Sequence, residues 1–273
     1  MKPSHLFCWA PAAWSAVTRR SPDEDQLRAE TARLYARVAT EPGGDFHFHR
    51  GPEYAATRLG YDPALLATLP AGATASFAGV GNPHAIDALK PGETVLDIGS
   101  GSGTDLLIAA RAVGSGGRAI GVEMTPEMRE RCTAAITGTN AEVLAGDAEN
   151  LPVDDASIDT VISNGVLNLV PDKPRALAEI HRVLRPGGRL MLGDIALTSS
   201  LGRYLKSSVD LWALCVGGAI RERDTLALVT AAGFENARIT QRFDCITGTS
   251  SETLARMLGV HGINLYATKP GGA

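Results

Sequence analysis

Five short apolar runs alternate with helical stretches through the last two thirds of the chain, and that alternation fixes the class of fold. The runs are Val95–Ile98, Ala119–Val122, Glu142–Leu144, Ile158–Ile162 and Arg189–Ile195; Thr104–Val113, Pro126–Ile136 and Pro174–Leu184 separate them with helical patterning. Strands that are apolar on both faces and joined by crossover helices form a parallel sheet covered on both sides. Pro186-Gly187-Gly188 predicts a tight turn into the fifth strand, and Arg203–Val216 and Asp224–Ala232 predict two more helices, with Gly233 ending the second. Ala237–Phe243 and Asn264–Thr268 then close the sheet. The expectation is an α/β fold: a doubly wound, mostly parallel, seven-stranded Rossmann-like sheet with an N-terminal helical arm.

The arm begins at a capping box, with Ser21 as N-cap, Pro22 at the first helical position and Glu24 closing the box. Leu27, Leu34 and Val38 recur at near-helical spacing to about Thr40, and Pro42-Gly43-Gly44 ends the helix. Residues 45–92 are mixed. The chain therefore divides into a leader (1–20), an arm or cap (21–92) and the main domain (93–273). Leu6–Val17 is apolar behind one lysine, faintly like an export signal, but Pro11 and two tryptophans interrupt it, so a disordered leader or a mis-called start codon is expected.

A net charge of −4 gives no basic field for a phosphate backbone, so no nucleic-acid partner is expected. No apolar run approaches the roughly 18 residues of a membrane span. Cys8, Cys132, Cys215 and Cys245 are scattered without a CxxC pair, which predicts no structural metal and a reducing, cytoplasmic setting. A small-molecule substrate and a monomer or homodimer are expected.

The loop after the first strand reads Gly99-x-Gly101-x-Gly103. Glycines permit a sharp turn and close approach of a ligand to the backbone. The spacing is not the G-x-G-x-x-G of dinucleotide folds. Glu123 ends the second strand, where a carboxylate accepts ribose hydroxyls. Asp147-Ala148 follows the third strand and suits an adenine amino group; Asp97 ends the first strand, near the place of a ligand ammonium. All lie at carboxyl ends of strands, where open α/β sheets bind ligands. Each also has a plain structural reading: glycines shaping a turn, Glu123 as a solvated acid, Asp147 as a helix cap.

Other residues carry weaker signals. His47 and His49, spaced i, i+2, share one face of a strand and suit a structural role, a lid over substrate or cofactor or, with a third ligand, a metal. Asn168 flanks the substrate mouth or caps a turn. Asp194 ends the fifth strand as a general base or as a structural cap. His181 reads as structural, His261 before the last strand is ambiguous, and Cys132 reads as core.

Three stretches make a family resemblance plain: Val95-Leu96-Asp97-Ile98-Gly99-Ser100-Gly101-Ser102-Gly103, Gly146-Asp147-Ala148-Glu149-Asn150-Leu151-Pro152 and Arg182-Val183-Leu184-Arg185-Pro186-Gly187-Gly188-Arg189 resemble class I S-adenosylmethionine-dependent methyltransferases. Gly81-Asn82-Pro83, Gly121–Met128, Val161–Lys173 and Cys215–Ala219 are similar, more narrowly, to arsenite methyltransferases. The resemblance implies S-adenosyl-L-methionine as cofactor, held by Asp97, Gly99, Ser100, Gly101, Gly103, Glu123, Met124, Asp147, Ala148 and Asn164, with Cys215 and Asn168 as catalytic candidates and no metal ion. In that family cysteine thiolates hold trivalent arsenic, since soft thiolates suit a thiophilic centre. Here two of the expected cysteine positions are Val80 and Gly165, and only Cys215 remains, with Cys245 a conceivable second ligand. Three functions stay open: methylation of As(III) or its thiol conjugates, O-, N- or C-methylation of an organic small molecule, and binding of S-adenosylmethionine without catalysis.

Overall fold

The computed structural model describes residues 23–198 and 217–272. The expected leader, Ser21, Pro22, the helix at 203–216 and Cys215 lie outside the described residues.

Helix α1 (Glu24–Thr40) starts slightly later than the capping box places it: Asp23 is the N-cap, its carboxylate accepting from the Asp25 amide. Short helices α2 (Gly51–Leu59), α3 (Pro63–Ala67) and α4 (Ala71–Thr74) complete the arm. The main domain follows as β1 (Thr94–Ile98), α5 (Thr104–Val113), β2 (Arg118–Glu123), α6 (Pro126–Ala135), β3 (Ala141–Ala145), β4 (Ile158–Asn164), α7 (Lys173–Val183), β5 (Leu184–Leu197), β6 (Ile220–Arg221), α8 (Glu222–Ala231), β7 (Glu235–Phe243), α9 (Glu252–Leu258) and β8 (Val260–Thr268).

The sheet order is β3-β2-β1-β4-β5-β8-β7. The first five are parallel, β8 runs antiparallel to both β5 and β7, and the short β6 pairs beside β5 as an eighth strand. Two residues are too few to show a period, which is why β6 was not expected. The last strand starts at Val260 rather than Asn264, so His261 lies within it.

Successive strand residues feed opposite cores, as a period of two requires. Val95, Ala119, Ile162 and Met191 pack with α5 and the arm; Leu96, Ile120, Val161 and Leu190 pack with α7 and α8. Burial on both faces explains the unbroken apolar runs. A third, small cluster ties the arm down: Val38 and Ala39 of α1 meet Met128 of α6. Helix α1 is thereby held over the carboxyl ends of β1, β2 and β3. No helix among the described residues is long and apolar enough to cross a membrane.

Candidate active site

At the carboxyl edge of the parallel strands lies a cleft of about 1050 Å³, part of it open to solvent. Its floor is the loop between β1 and α5. Gly99, Gly101 and Gly103 all have positive φ (+69°, +53° and +97°). At Gly99 an added Cβ would collide with Val166, whereas at Gly101 the space is empty. Gly103 does not line the cleft; it forms the left-handed N-cap of α5 against Cys132. Ser100 lines the cleft, with its hydroxyl close to the position a Gly121 Cβ would occupy.

Two buried acids face this floor. Glu123 is 6% exposed, and its carboxylate accepts from the Gly101 amide at 2.9 Å and the Thr125 amide at 2.7 Å. Burial pushes its pKa up, against the pull of those two amides. Asp97 is 2% exposed, and its Oδ2 has no hydrogen-bond partner. Burial holds the Asp97 carboxyl well above the usual range; Asp105 and Glu123 add repulsion. A buried carboxylate oxygen without a partner at the wall of a cleft is suited to a cationic ligand group.

The far end of the cleft is closed by the arm. Arg28, Thr31 and Tyr35 of α1 line it, opposite Met124, Asp147, Ala148 and Glu149. Arg28 Nε lies 3.2 Å from Asp147 Oδ2, and its guanidinium also pairs with Glu149, which is 4% exposed. Asp147 accepts from the Glu149 amide at 2.6 Å, so it shapes the turn as well as lining the cleft. Sequence reasoning missed Arg28 and Tyr35, because nothing in a helix repeat tells which exposed-type residues will roof a distant cleft.

A second cavity of about 600 Å³ adjoins the first. Tyr35, Ala78, Gly79 and Gly165 line both. Its walls are mainly aromatic and apolar, including Phe48, Tyr54, Val80 and Ile195, with Asn168 and the buried Cys245. The expected strand at His47–Arg50 is irregular chain; both histidines line this cavity, His49 stacking on Tyr54 and its Nε2 lying 2.9 Å from the Thr247 carbonyl. No cluster of metal-ligating residues occurs among the described residues.

Val80 and Gly165 face each other where the cavities meet: a Cβ on Gly165 would lie 3.7 Å from Val80 Cγ2. Asn168 is buried on a 3-10 turn (Leu167–Leu169), its amide donating to Asp194. Asp194 also accepts from the Ile195 amide, and burial pushes its pKa up to about 7. It lines neither cavity and anchors the turn, the structural one of its two readings. His181 packs edge-on against Phe234, and His261 bonds Glu222 at 2.8 Å; neither lines either of these two cavities. Asn164 lines the first cleft, but its amide is engaged by the loop at Val80 and Gly81.

Comparison with known proteins agrees with this geometry. Residues 89–246 match the model of a methyltransferase domain. The chain is 39% identical over 218 residues to an arsenite methyltransferase of Halobacterium salinarum (78% of this chain, 56% of the relative). It is 34% identical over 177 residues to one of Rattus norvegicus (60% and 47%). A crystal structure of an arsenic(III) S-adenosylmethionine methyltransferase from Chlamydomonas reinhardtii superposes with a TM-score of 0.67 at 32% identity, covering 76% of this chain and 72% of that one. The chain spans about half the length of the curated relatives it matches.

Proposed function

The chain belongs to the S-adenosylmethionine-dependent methyltransferases, and from that membership we propose that it methylates a small molecule, with trivalent arsenic or its thiol conjugates as acceptor. The observation that carries the reading is the buried Asp97 carboxylate, its Oδ2 without a hydrogen-bond partner, sharing one cleft with Glu123 and the glycine loop. S-adenosylmethionine supplies a methyl carbon made electrophilic by its sulfonium. Asp97 would take the ammonium, Glu123 the ribose hydroxyls, and Asp147 and Ala148 the adenine, with the glycine backbone at Gly99–Gly101 passing close alongside, its amides already held by Val122 and Glu123. Met124 and the arm residues Arg28 and Tyr35 would cover it. The second cavity would hold the acceptor in line with the methyl group, and its aromatic walls would keep water out. Methyl transfer needs little acid–base help, so positioning is the main task.

The acceptor must bring its own sulfur. Val80 and Gly165 offer none, and of the described cysteines only Cys245 lines the acceptor cavity. A thiol conjugate of arsenic meets that need, with Cys215 and Cys245 as candidate further ligands. The apolar lining by Val80 and Gly165, which offers no thiolate, favours, as a second reading, O-, N- or C-methylation of an organic acceptor. The same proposal takes residues 1–20 as a leader, 21–92 as an arm over the donor cleft and 93–273 as the catalytic domain. It also places the protein in the cytoplasm as a monomer or homodimer without nucleic-acid or membrane partners.

The test is an acceptor comparison with methyl-labelled donor. Arsenite with glutathione should be methylated, and Val80→Cys with Gly165→Cys should raise the rate. A cysteine at position 165 must adopt φ near +77°, a strain of about 1 kcal/mol, but it has room. Labelling of organic acceptors with none of arsenic would overturn the arsenic reading in favour of the second.

A further inference from the structure

The two cavities are divided by a stretch of backbone, Ala78–Gly79–Val80, that belongs to no helix or strand. An irregular loop is ordinarily the most mobile part of a site, yet this one is read by two asparagines from the sheet. Asn164, the last residue of β4, accepts at Oδ1 from the Val80 amide (2.8 Å) and the Gly81 amide (3.1 Å), and its Nδ2 donates to the Gly81 carbonyl (2.9 Å). Asn264, on β8 and fully buried, accepts at Oδ1 from the Asn82 amide (2.9 Å) and donates from Nδ2 to the Asn82 carbonyl (2.8 Å). Each side chain thus imitates a strand partner, satisfying both a donor and an acceptor of the loop.

Asn164 is itself held from below. Its Nδ2 lies 3.0 Å from the Tyr61 hydroxyl and 3.1 Å from Asp105 Oδ2; the Tyr61 hydroxyl donates to Asp105 Oδ1 at 2.7 Å. His84 Nε2 lies 3.3 Å from that same Oδ1. The loop is pressed close: a Cβ at Gly79 would run into the Asn164 amide, and one at Gly81 would come within 2.7 Å of Asn264 Oδ1 and 2.8 Å of the Gly193 Cα. Neither a wider side chain nor a shift of the loop toward the sheet fits.

We propose that Asn164 and Asn264 are paired positioning residues that fix the 78–82 loop as a rigid partition, and so set the distance between donor and acceptor. The proposal rests on methyl transfer between the two cavities. It reassigns Asn164: its amide is spent on the loop, and its effect on the reaction passes through the loop backbone. Asn264 lines neither cavity and contributes only by this route. In-line transfer tolerates little displacement, and a misplacement near 1 Å costs on the order of 100-fold in rate.

The test uses the full chain and the variants Asn164→Ala, Asn264→Ala and Asn264→Asp, with three readouts. Amide hydrogen exchange should be at least about tenfold faster at Val80 and Gly81 in Asn164→Ala, and at Asn82 in Asn264→Ala. Asn264→Asp keeps an acceptor for the Asn82 amide but turns a second oxygen toward the Asn82 carbonyl, so it should restore protection only as pH falls and the carboxyl gains a proton to donate to that carbonyl. Single-turnover methyl transfer should fall about 10- to 100-fold in both alanine variants, while donor Kd stays within about threefold. If Asn164→Ala does not fold, the Asn264 pair carries the test. Wild-type amides at 80–82 exchanging as fast as in the variants would overturn the proposal, as would transfer rates that fall only in step with donor affinity. Absence of methyl transfer in the wild type would count against the function itself, while the exchange data would still judge the clamp.

Discussion

Replacing Asp97 with Asn separates donor binding from stability. The side chain keeps its shape but loses the charge that an incoming ammonium needs. A hydrogen bond to a charged group contributes about 1.5–3 kcal/mol, so donor affinity should fall roughly 10- to 150-fold. Stability should not fall with it. The buried Asp97 carboxyl, crowded by Asp105 and Glu123, binds its proton more tightly in the folded protein than in the unfolded chain. The contribution of Asp97 to the stability of the ligand-free protein is therefore greatest below the ordinary carboxylate range and is lost as pH rises through the raised value. The Asp97→Asn substitution removes that slope, and at neutral pH the variant should unfold at the wild-type temperature or above it. At a pH within the raised titration range of this carboxyl, donor binding to the wild type should release protons as the carboxylate ionises, and it should weaken as pH falls; the variant should release none from this site. Calorimetry in two buffers of different ionisation heat reads both affinity and proton count. Donor Kd within about threefold of wild type, or unchanged proton release, would refute the reasoning.

Glu123→Ala strips the acceptor from the Gly101 and Thr125 amides, so donor affinity should fall at least about tenfold with a stability loss of about 1–3 kcal/mol, read by calorimetry and thermal unfolding. Gly99→Ala meets both positive φ and Val166 and should cost about 1–3 kcal/mol, whereas Gly101→Ala meets open space and should cost about 1 kcal/mol or less beyond wild type; denaturant unfolding ranks the two. Arg28→Ala leaves the buried Glu149 beside Asp147 without its guanidinium and should lower stability by about 1–3 kcal/mol, seen as a drop of several degrees in Tm.

The sheet was legible because its parallel strands are apolar on both faces, and the acids at 97, 123 and 147 were legible because each ends a strand or follows one. What was hidden depends on distance along the chain. Arg28 meets Asp147 and Glu149 across more than a hundred residues, and no local period encodes that pairing. Asn264 faces Asn82 from the far end of the sequence. His47–Arg50 alternates like a strand, but without a neighbouring strand to pair with it stays irregular chain, and His47, Phe48 and His49 pack into the wall of the second cavity. Asn164 stood out at the end of β4, where its position suggested the ligand; only its partners show that the loop takes up its hydrogen bonds.

The most direct measurement follows methyl-labelled S-adenosylmethionine and arsenite with glutathione through one turnover, counting S-adenosylhomocysteine and methylated arsenic together. The account predicts equal amounts of both, and markedly less of both from Glu123→Ala at donor concentrations near the wild-type Kd. Donor bound by the wild type with no methyl group delivered, to arsenic or to any organic acceptor, would contradict it.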